Sequence, residues 1–256
     1  MSTGNYEVII PENMPHGLKQ NEEYFILKKN NGAEKTKIGF HEYGKIYSIP
    51  GLYEQLFYEK LKCASPKTVC KYLKEIVEEN NSSMSDLCVL DLGAGNGMVG
   101  EELYNAGVED IYGIDIEVNA KKAVERDRPD IYKKYYIEDL TRVSAPFRKE
   151  LEEKSFNCMT AVDALGFGHI PPNAFTEAFN LLSTPARVAF NIKEDFLSDR
   201  DRTGFSNLIK KMIKEKRLEI HVKEHYCHRL SMQGKPLHYI AIVGKKVADI
   251  PGEWVF

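Results

Sequence analysis

Cys88-Val-Leu-Asp-Leu-Gly-Ala-Gly-Asn-Gly-Met-Val-Gly100 decides how this chain is read. An apolar run ends in an acid, glycines follow at alternate positions, and a helical pattern starts with Met98 and Val99. Such a stretch is a buried strand turning sharply into a helix, and Gly93, Gly95 and Gly97 allow a ligand close to the backbone. Amides at the start of the next helix point outward with partial positive charge, which suits an anionic ligand group. The stretch therefore predicts a nucleotide-like ligand lying on Gly93, Ala94, Gly95 and Gly97.

Two ligands compete for that loop. Gly95-Asn-Gly97-Met-Val-Gly100 is a GxGxxG, the dinucleotide pattern, and alone it is a weak signal. The glycines begin two residues after Asp91, however, giving Asp-x-Gly-x-Gly-x-Gly. An acid closing the strand repels a pyrophosphate and suits an ammonium or sulfonium group. Here the sequence resembles the class I S-adenosylmethionine-dependent methyltransferases, whose first motif has this pattern and whose donor carries both cations. The resemblance implies S-adenosylmethionine as cofactor. It also implies an α/β fold: a Rossmann-like, seven-stranded, mostly parallel sheet with a terminal antiparallel hairpin and an N-terminal lid.

At 256 residues the chain suits one compact domain with an extension: 1–60 as extension and aromatic lid, 61–256 as the cofactor-binding domain. A composition 43% hydrophobic and 29% charged is that of a soluble globular protein. The net charge of −3 supplies no global field for a nucleic-acid partner, so none is expected. Five cysteines, an odd number without a CxxC, argue against a disulfide framework, and Cys70, Cys88 and Cys158 fall in apolar patterns as core thiols. No N-terminal apolar run is long enough for a signal or a membrane span, so the chain is read as cytoplasmic with no membrane partner.

Residues 24–27 and 37–40 flank the turn signal Asn30-Asn31-Gly32 and predict a hairpin. Tyr43, Tyr47, Tyr53, Phe57 and Tyr58 follow. The family often folds a tyrosine-bearing segment over its cofactor, and tyrosine faces attract a cation such as sulfonium. Ser65-Pro66 predicts a helix start with Ser65 as N-cap, continued by Val69, Tyr72, Leu73, Ile76 and Val77 on one face.

The second strand, 110–115, ends in Asp115, 22 residues after Gly93. An acid at that distance accepts hydrogen bonds from ribose hydroxyls in adenosine-binding folds, with Ile116 beside it and Glu117 as the alternative. A third strand, 132–137, leads to Glu138-Asp139-Leu140. There the resemblance implies an acid, Asp139, on the adenine amino group and an apolar neighbour on the ring face. A charged helix over 141–154 and a fourth strand over 155–162 come next. Asp163-Ala-Leu-Gly-Phe-Gly-His169-Ile-Pro-Pro172 then lies beyond the strand's carboxyl end, where open sheets bind ligands. Asp163 is expected at the cofactor, and His169 is the candidate general base. The segment lacks the Asn/Asp-Pro-Pro-aromatic element of amino-methylating enzymes and the Pro-Cys of cytosine-C5 enzymes, which disfavours those substrates.

Across 43–200 the chain is similar to the Williams–Beuren-region methyltransferase-like proteins and their bacterial relatives. The likeness rests on the tyrosines, VLDLGAGNGMVGEEL, YGIDIE, DALGFGHIPP and AFNIKEDF. It does not supply an acceptor, for which a small molecule is expected. Helix 172–182, strand 187–192, a charged loop over 193–202 and a helix lined by Phe205, Leu208, Ile209, Met212 and Ile213 complete the pattern. The lysines of that last helix are read as its solvated face. Residues 218–230 and 237–243 predict the terminal hairpin. Its His221, His225 and Cys227 share a face that His228 does not, so no metal site is predicted. An NAD(P)-dependent oxidoreductase is disfavoured by Asp91 and the hairpin. A non-catalytic S-adenosylmethionine-binding protein is the remaining alternative.

Overall fold

A computed structural model of the chain describes residues 6–11, 19–29, 35–167 and 169–255. Among these, the strand that leads into the glycine loop, β4 (Cys88–Leu92), lies in the interior of the larger sheet, between β5 and β7. It is apolar but for Asp91, because both of its faces are covered. Leu90 and Leu92 pack toward α6 (Pro172–Asn180) and α7 (Phe205–Lys214), and Val89 toward α2 (Ser65–Glu79) and α3 (Met98–Asn105). That double burial is the reason a parallel strand reads as a continuous apolar run.

The other strands are β5 (Asp110–Asp115), β6 (Lys134–Ile137), β7 (Cys158–Ala161), β8 (Ala186–Lys193), β9 (Leu218–Leu230) and β10 (Pro236–Lys246). The seven-stranded sheet has the order β6-β5-β4-β7-β8-β10-β9. β6, β5, β4, β7 and β8 run parallel, and β10 is antiparallel to both β8 and β9. The expected terminal hairpin is there, carrying register shifts at Leu237/His238 and Val243/Gly244. Chain direction away from β4 reverses between β4 and β7, which opens a crevice at the strands' carboxyl ends. α4 (Val118–Asp127) and α5 (Ala145–Glu152) complete the connections.

Before this sheet comes a smaller antiparallel one, β1 (Tyr6–Ile9), β2 (Tyr24–Lys29) and β3 (Lys35–Gly39). β2 and β3 realise the expected hairpin. Its turn, Asn30–Gly32, lies outside the described residues, as do Pro15 and Gly168. β1 was not foreseen, because its YEVI is too short to show alternation. α1 (Tyr43–Ser48) and a π-helical segment, Glu54–Lys60, follow. Phe25, Ile38, Phe40, Leu56 and Phe57 form a second core with Met232 from the β9–β10 turn. Phe57 is thus a core residue of this unit. A buried ion pair between Glu23 and Arg229 fastens the small sheet to β9.

Several boundaries move. The third strand starts at Lys134, two residues late, since Tyr132 turns inward to Asp91. The helix expected over 141–154 is confined to Ala145–Glu152, where Ser144 accepts from the Phe147 amide. The loop expected from 193 holds a 3-10 turn, Glu194–Leu197. Ala64, not Ser65, is the N-cap of α2, and the Ser65 hydroxyl faces inward.

Candidate functional site

A cavity of about 730 Å³ lies at the carboxyl ends of β4, β5 and β7. Its lining follows the strand order: Glu138, Asp139 and Leu140 after β6, Asp115 and Ile116 after β5, Gly93–Asn96 after β4, and Asp163 after β7. The glycine loop is shaped for close approach. Gly95 has φ +53°, and a Cβ there would sit 2.6 Å from the Tyr47 hydroxyl. Gly93 has φ +70°, and its Cβ would strike Ala164. Both positions favour glycine on backbone grounds as well as space.

The Asp115 carboxylate accepts from the Gly95 amide at 2.9 Å and the Glu117 amide at 2.9 Å, which locks the ends of β4 and β5 together. Burial raises its pKa, against those amide bonds. Ile116 is 67% exposed at the cavity wall, an apolar side chain with nothing over it. Asp139 turns its carboxylate to the Thr141 amide and hydroxyl, and these two hydrogen bonds hold its pKa low.

Two expected contacts are not made. Asp91 is 1% exposed, and its carboxylate accepts from Tyr132 Oη at 2.7 Å and Thr160 Oγ1 at 2.7 Å, away from the cavity. Period-two alternation explains this: Leu90 and Leu92 occupy one face of β4, so Asp91 falls with Val89 on the other. Burial pushes its pKa up to about 6. Gly97 also faces away, since a Cβ there would meet Arg128, Tyr132 and Val124. Asn96, which sequence reasoning missed, lines the cavity and donates to Glu54 Oε1 at 2.8 Å.

The aromatic segment covers the same cavity. Tyr43, Tyr47, Tyr53 and Tyr58 line it, with Tyr43 and Tyr47 stacked at 5.8 Å. Burial raises the pKa of each, so all four are neutral phenols. The segment is held by Asn119 Nδ2 donating to the Gly44 carbonyl at 3.0 Å and Arg126 to the Tyr47 carbonyl at 3.2 Å. Arg128 pairs with Glu54 at 2.7 Å and Glu101 at 3.0 Å, and donates to the Asn96 carbonyl at 3.2 Å.

At the β7 end, Asp163 has φ +57° and is held by Asn191, whose Oδ1 accepts from the Asp163 amide at 2.6 Å and whose Nδ2 donates to its carboxylate at 2.6 Å. Of the hairpin histidines, His228 is turned inward, 3.2 Å from Asp163, while His225 and His238 stack outside at 4.8 Å. Cys63, Asp163 and His228 bring ligand-type atoms within 4.8 Å of one another, and the Cys63 thiol donates to Asp163 at 3.4 Å. Burial, and the Asp163 charge beside it, raise the Cys63 pKa, so the group is a thiol. His169 lines the cavity with Nε2 2.8 Å from Nδ1 of His41. Burial, helped by His41, brings its pKa to about 4. It is therefore a neutral, weakly basic imidazole tied to a neighbour, which sets it back as the general base. Nothing local in the sequence pointed to His41, Cys63 or Ser65, because their partners are 128, 100 and 163 positions away.

The profile of a methyltransferase-domain family matches residues 61–228. The chain belongs to that family. Among solved structures it is similar to an S-adenosylmethionine-dependent methyltransferase of Clostridium acetobutylicum, at 15% identity over 77% of this chain and 97% of that one, TM-score 0.52. It is also similar to protein 1320 of Thermoplasma acidophilum, at 14% identity over 70% and 85%, TM-score 0.50. At such identities the likeness speaks for the fold, which is that of the class I methyltransferases. No curated protein sequence matches the chain.

Proposed function

We propose that the chain transfers a methyl group from S-adenosylmethionine to a small-molecule acceptor. S-Adenosylmethionine is the cofactor, and the donor supplies an already activated methyl on sulfur. The observation that carries the reading is the continuous cavity joining Asp115, the Gly93–Asn96 turn and Asp163 under the tyrosine-bearing segment. Its residues fit the donor. Gly95 leaves a cradle that a Cβ would fill, Ile116 offers an open apolar face for a base, and the Asp115 carboxylate stands where a ribose would be. Glu138, Asp139 and Leu140 would border the adenine, and Asp163 the cationic end. Asp91 and Gly97 support the loop from behind.

Residues 1–60 act as the lid unit and 61–256 as the cofactor-binding domain in this reading. Covering the site and aligning donor with acceptor are the chain's main tasks, since the leaving group needs no further activation. The finer likeness to the Williams–Beuren-region proteins is carried by the quoted motifs. We place the protein in the cytoplasm without nucleic-acid or membrane partners. Among the described residues no helix is long and apolar enough to cross a membrane, and the net charge is −3.

Calorimetric titration with S-adenosylhomocysteine tests the reading. Micromolar binding is expected, abolished by Gly95→Arg, whose side chain must leave from a position facing the Tyr47 hydroxyl. Binding of NAD(H) with none of adenosylhomocysteine would move the protein to the oxidoreductases.

A further inference from the structure

Beyond the main cavity lies a smaller chamber of about 40 Å³, room for roughly three water-sized groups. It shares His41, Tyr43, Tyr53, Asp163 and His169 with the main cavity, so the two adjoin at the Asp163 end, and Glu138, Asp139 and Leu140 line only the larger one. His228 lines its inner wall, with its ring stacked on Tyr239 at 4.1 Å.

The polar contacts of His228 all use one nitrogen. Nδ1 lies 2.7 Å from Ser65 Oγ and 3.2 Å from Asp163 Oδ1. Asn191 Nδ2 donates to Tyr226 Oη at 2.7 Å, and Tyr226 donates to Ser65 Oγ at 2.8 Å, so the Ser65 proton is free to go to Asp163 or His228. Burial pushes the Asp163 carboxyl up, but His228, Asn191 and Ser65 outweigh it and hold it below the usual carboxylate range. A carboxylate and a hydroxyl at Nδ1 suit the tautomer that donates from that nitrogen, and no described residue makes a hydrogen bond to Nε2.

A second acceptor waits in the same wall. Gln20 donates its amide to Tyr239 Oη at 2.9 Å, while its Oε1 is buried with no partner among the described residues. The charge of the chamber also restricts what enters. Its guanidinium, Arg229, is taken by Glu23 and the Leu230 carbonyl. His41 and His169 are lowered by burial and are neutral. No cation among the lining residues is left to meet a carboxylate or phosphate.

We propose that this chamber is the acceptor site, that it takes a neutral hydroxyl or thiol group, and that His228 Nε2 removes its proton during methyl transfer. The inference rests on the methyltransferase reading above. The acceptor's O–H or S–H bond breaks and its proton goes to Nε2. The acceptor lone pair forms the new bond to the methyl carbon as the methyl–sulfur bond breaks, and that electron pair stays on sulfur as a neutral thioether. Asp163 and Ser65 hold the imidazole and offset the charge it gains.

Three readouts on the full chain test this. Long-range ¹⁵N spectra of the wild-type protein, with the His228 signal assigned through His228→Gln, should show an Nδ1-protonated ring at neutral pH; an Nε2-protonated ring overturns the proposal. Calorimetry of the wild-type protein with adenosylhomocysteine comes first, and if it does not bind, it is the cofactor reading that fails; because His228 pairs with Asp163, the His228→Gln variant is then compared with wild type at saturating cofactor. Release of adenosylhomocysteine is then followed with a panel of neutral phenols, alcohols and thiols beside matched carboxylates. Turnover with neutral members, reduced by about 10² or more in His228→Gln, supports the proposal. Turnover with carboxylates alone, unchanged turnover in the variant, or silence from every neutral member while adenosylhomocysteine binds would overturn it.

Discussion

Asp115 and Asp91 end neighbouring strands 24 positions apart, yet they do opposite jobs. Asp115 lines the cavity and already orders the Gly95 amide, so Asp115→Ala both strips an acceptor from the ligand and frees the loop. Calorimetry with adenosylhomocysteine should show binding weaker by ~1–3 kcal/mol. Asp91→Asn should leave that affinity unchanged, because the carboxylate points to Tyr132 and Thr160. Its effect belongs to stability. With a pKa near 6 when folded against 3.8 when exposed, Asp91 binds a proton in the folded state that the unfolded chain has already released. Wild-type stability should therefore carry a falling contribution as pH rises through that window and keep the loss above it. Asparagine cannot ionise, so melting temperatures of Asp91→Asn between pH 4 and 6 should lack that decline. A motif of residue types marks a site, but the side chain's face on the strand decides its role.

Arg128 is one of the residues that join the N-terminal segment to the large sheet. It sits just after α4 and is 9% exposed, between Glu54 of the π-helical segment and Glu101 of α3. Arg128→Ala leaves two carboxylates facing a gap, although both are near enough to solvent to rehydrate. The expected cost is about 1–3 kcal/mol in chemical denaturation. Weaker adenosylhomocysteine binding should accompany it, because Asn96 loses the guanidinium on its carbonyl and Glu54, which holds its side chain, loses its ion pair. Elements were read from the chain with uneven success. Long periodic ones such as α2, and apolar runs such as β4, were placed closely. β1 was not seen, and the starts of β6 and α5 shifted, since Tyr132 turns to Asp91 on another strand and Ser144 caps its helix by accepting from the Phe147 amide.

At the scale of the whole molecule, two cores meet at the cavity, and a ligand lying between them should stabilise both. Adenosylhomocysteine at 100 times its dissociation constant contributes about 2.7 kcal/mol. For a chain of 256 residues that corresponds to a rise of roughly 5–10 °C in melting temperature, and NAD should give none.

The sequence by itself determined the run of strands and helices, the glycine turn after β4, the 218–243 hairpin and the acid that closes β5, while its resemblance to the methyltransferases supplied the seven-stranded sheet and the adenine-side acid. The first group follows from periodicity and from residues within a few positions of one another, where chain connectivity sets the geometry. Only the tertiary structure decided that Asp91 faces the core, that His169 is tied to His41, and that Cys63, Ser65, Asp163 and His228 converge. Those contacts join residues from 41 to 163 positions apart. Single polar residues far apart in the chain carry no periodicity, and only packing brings them into one chamber.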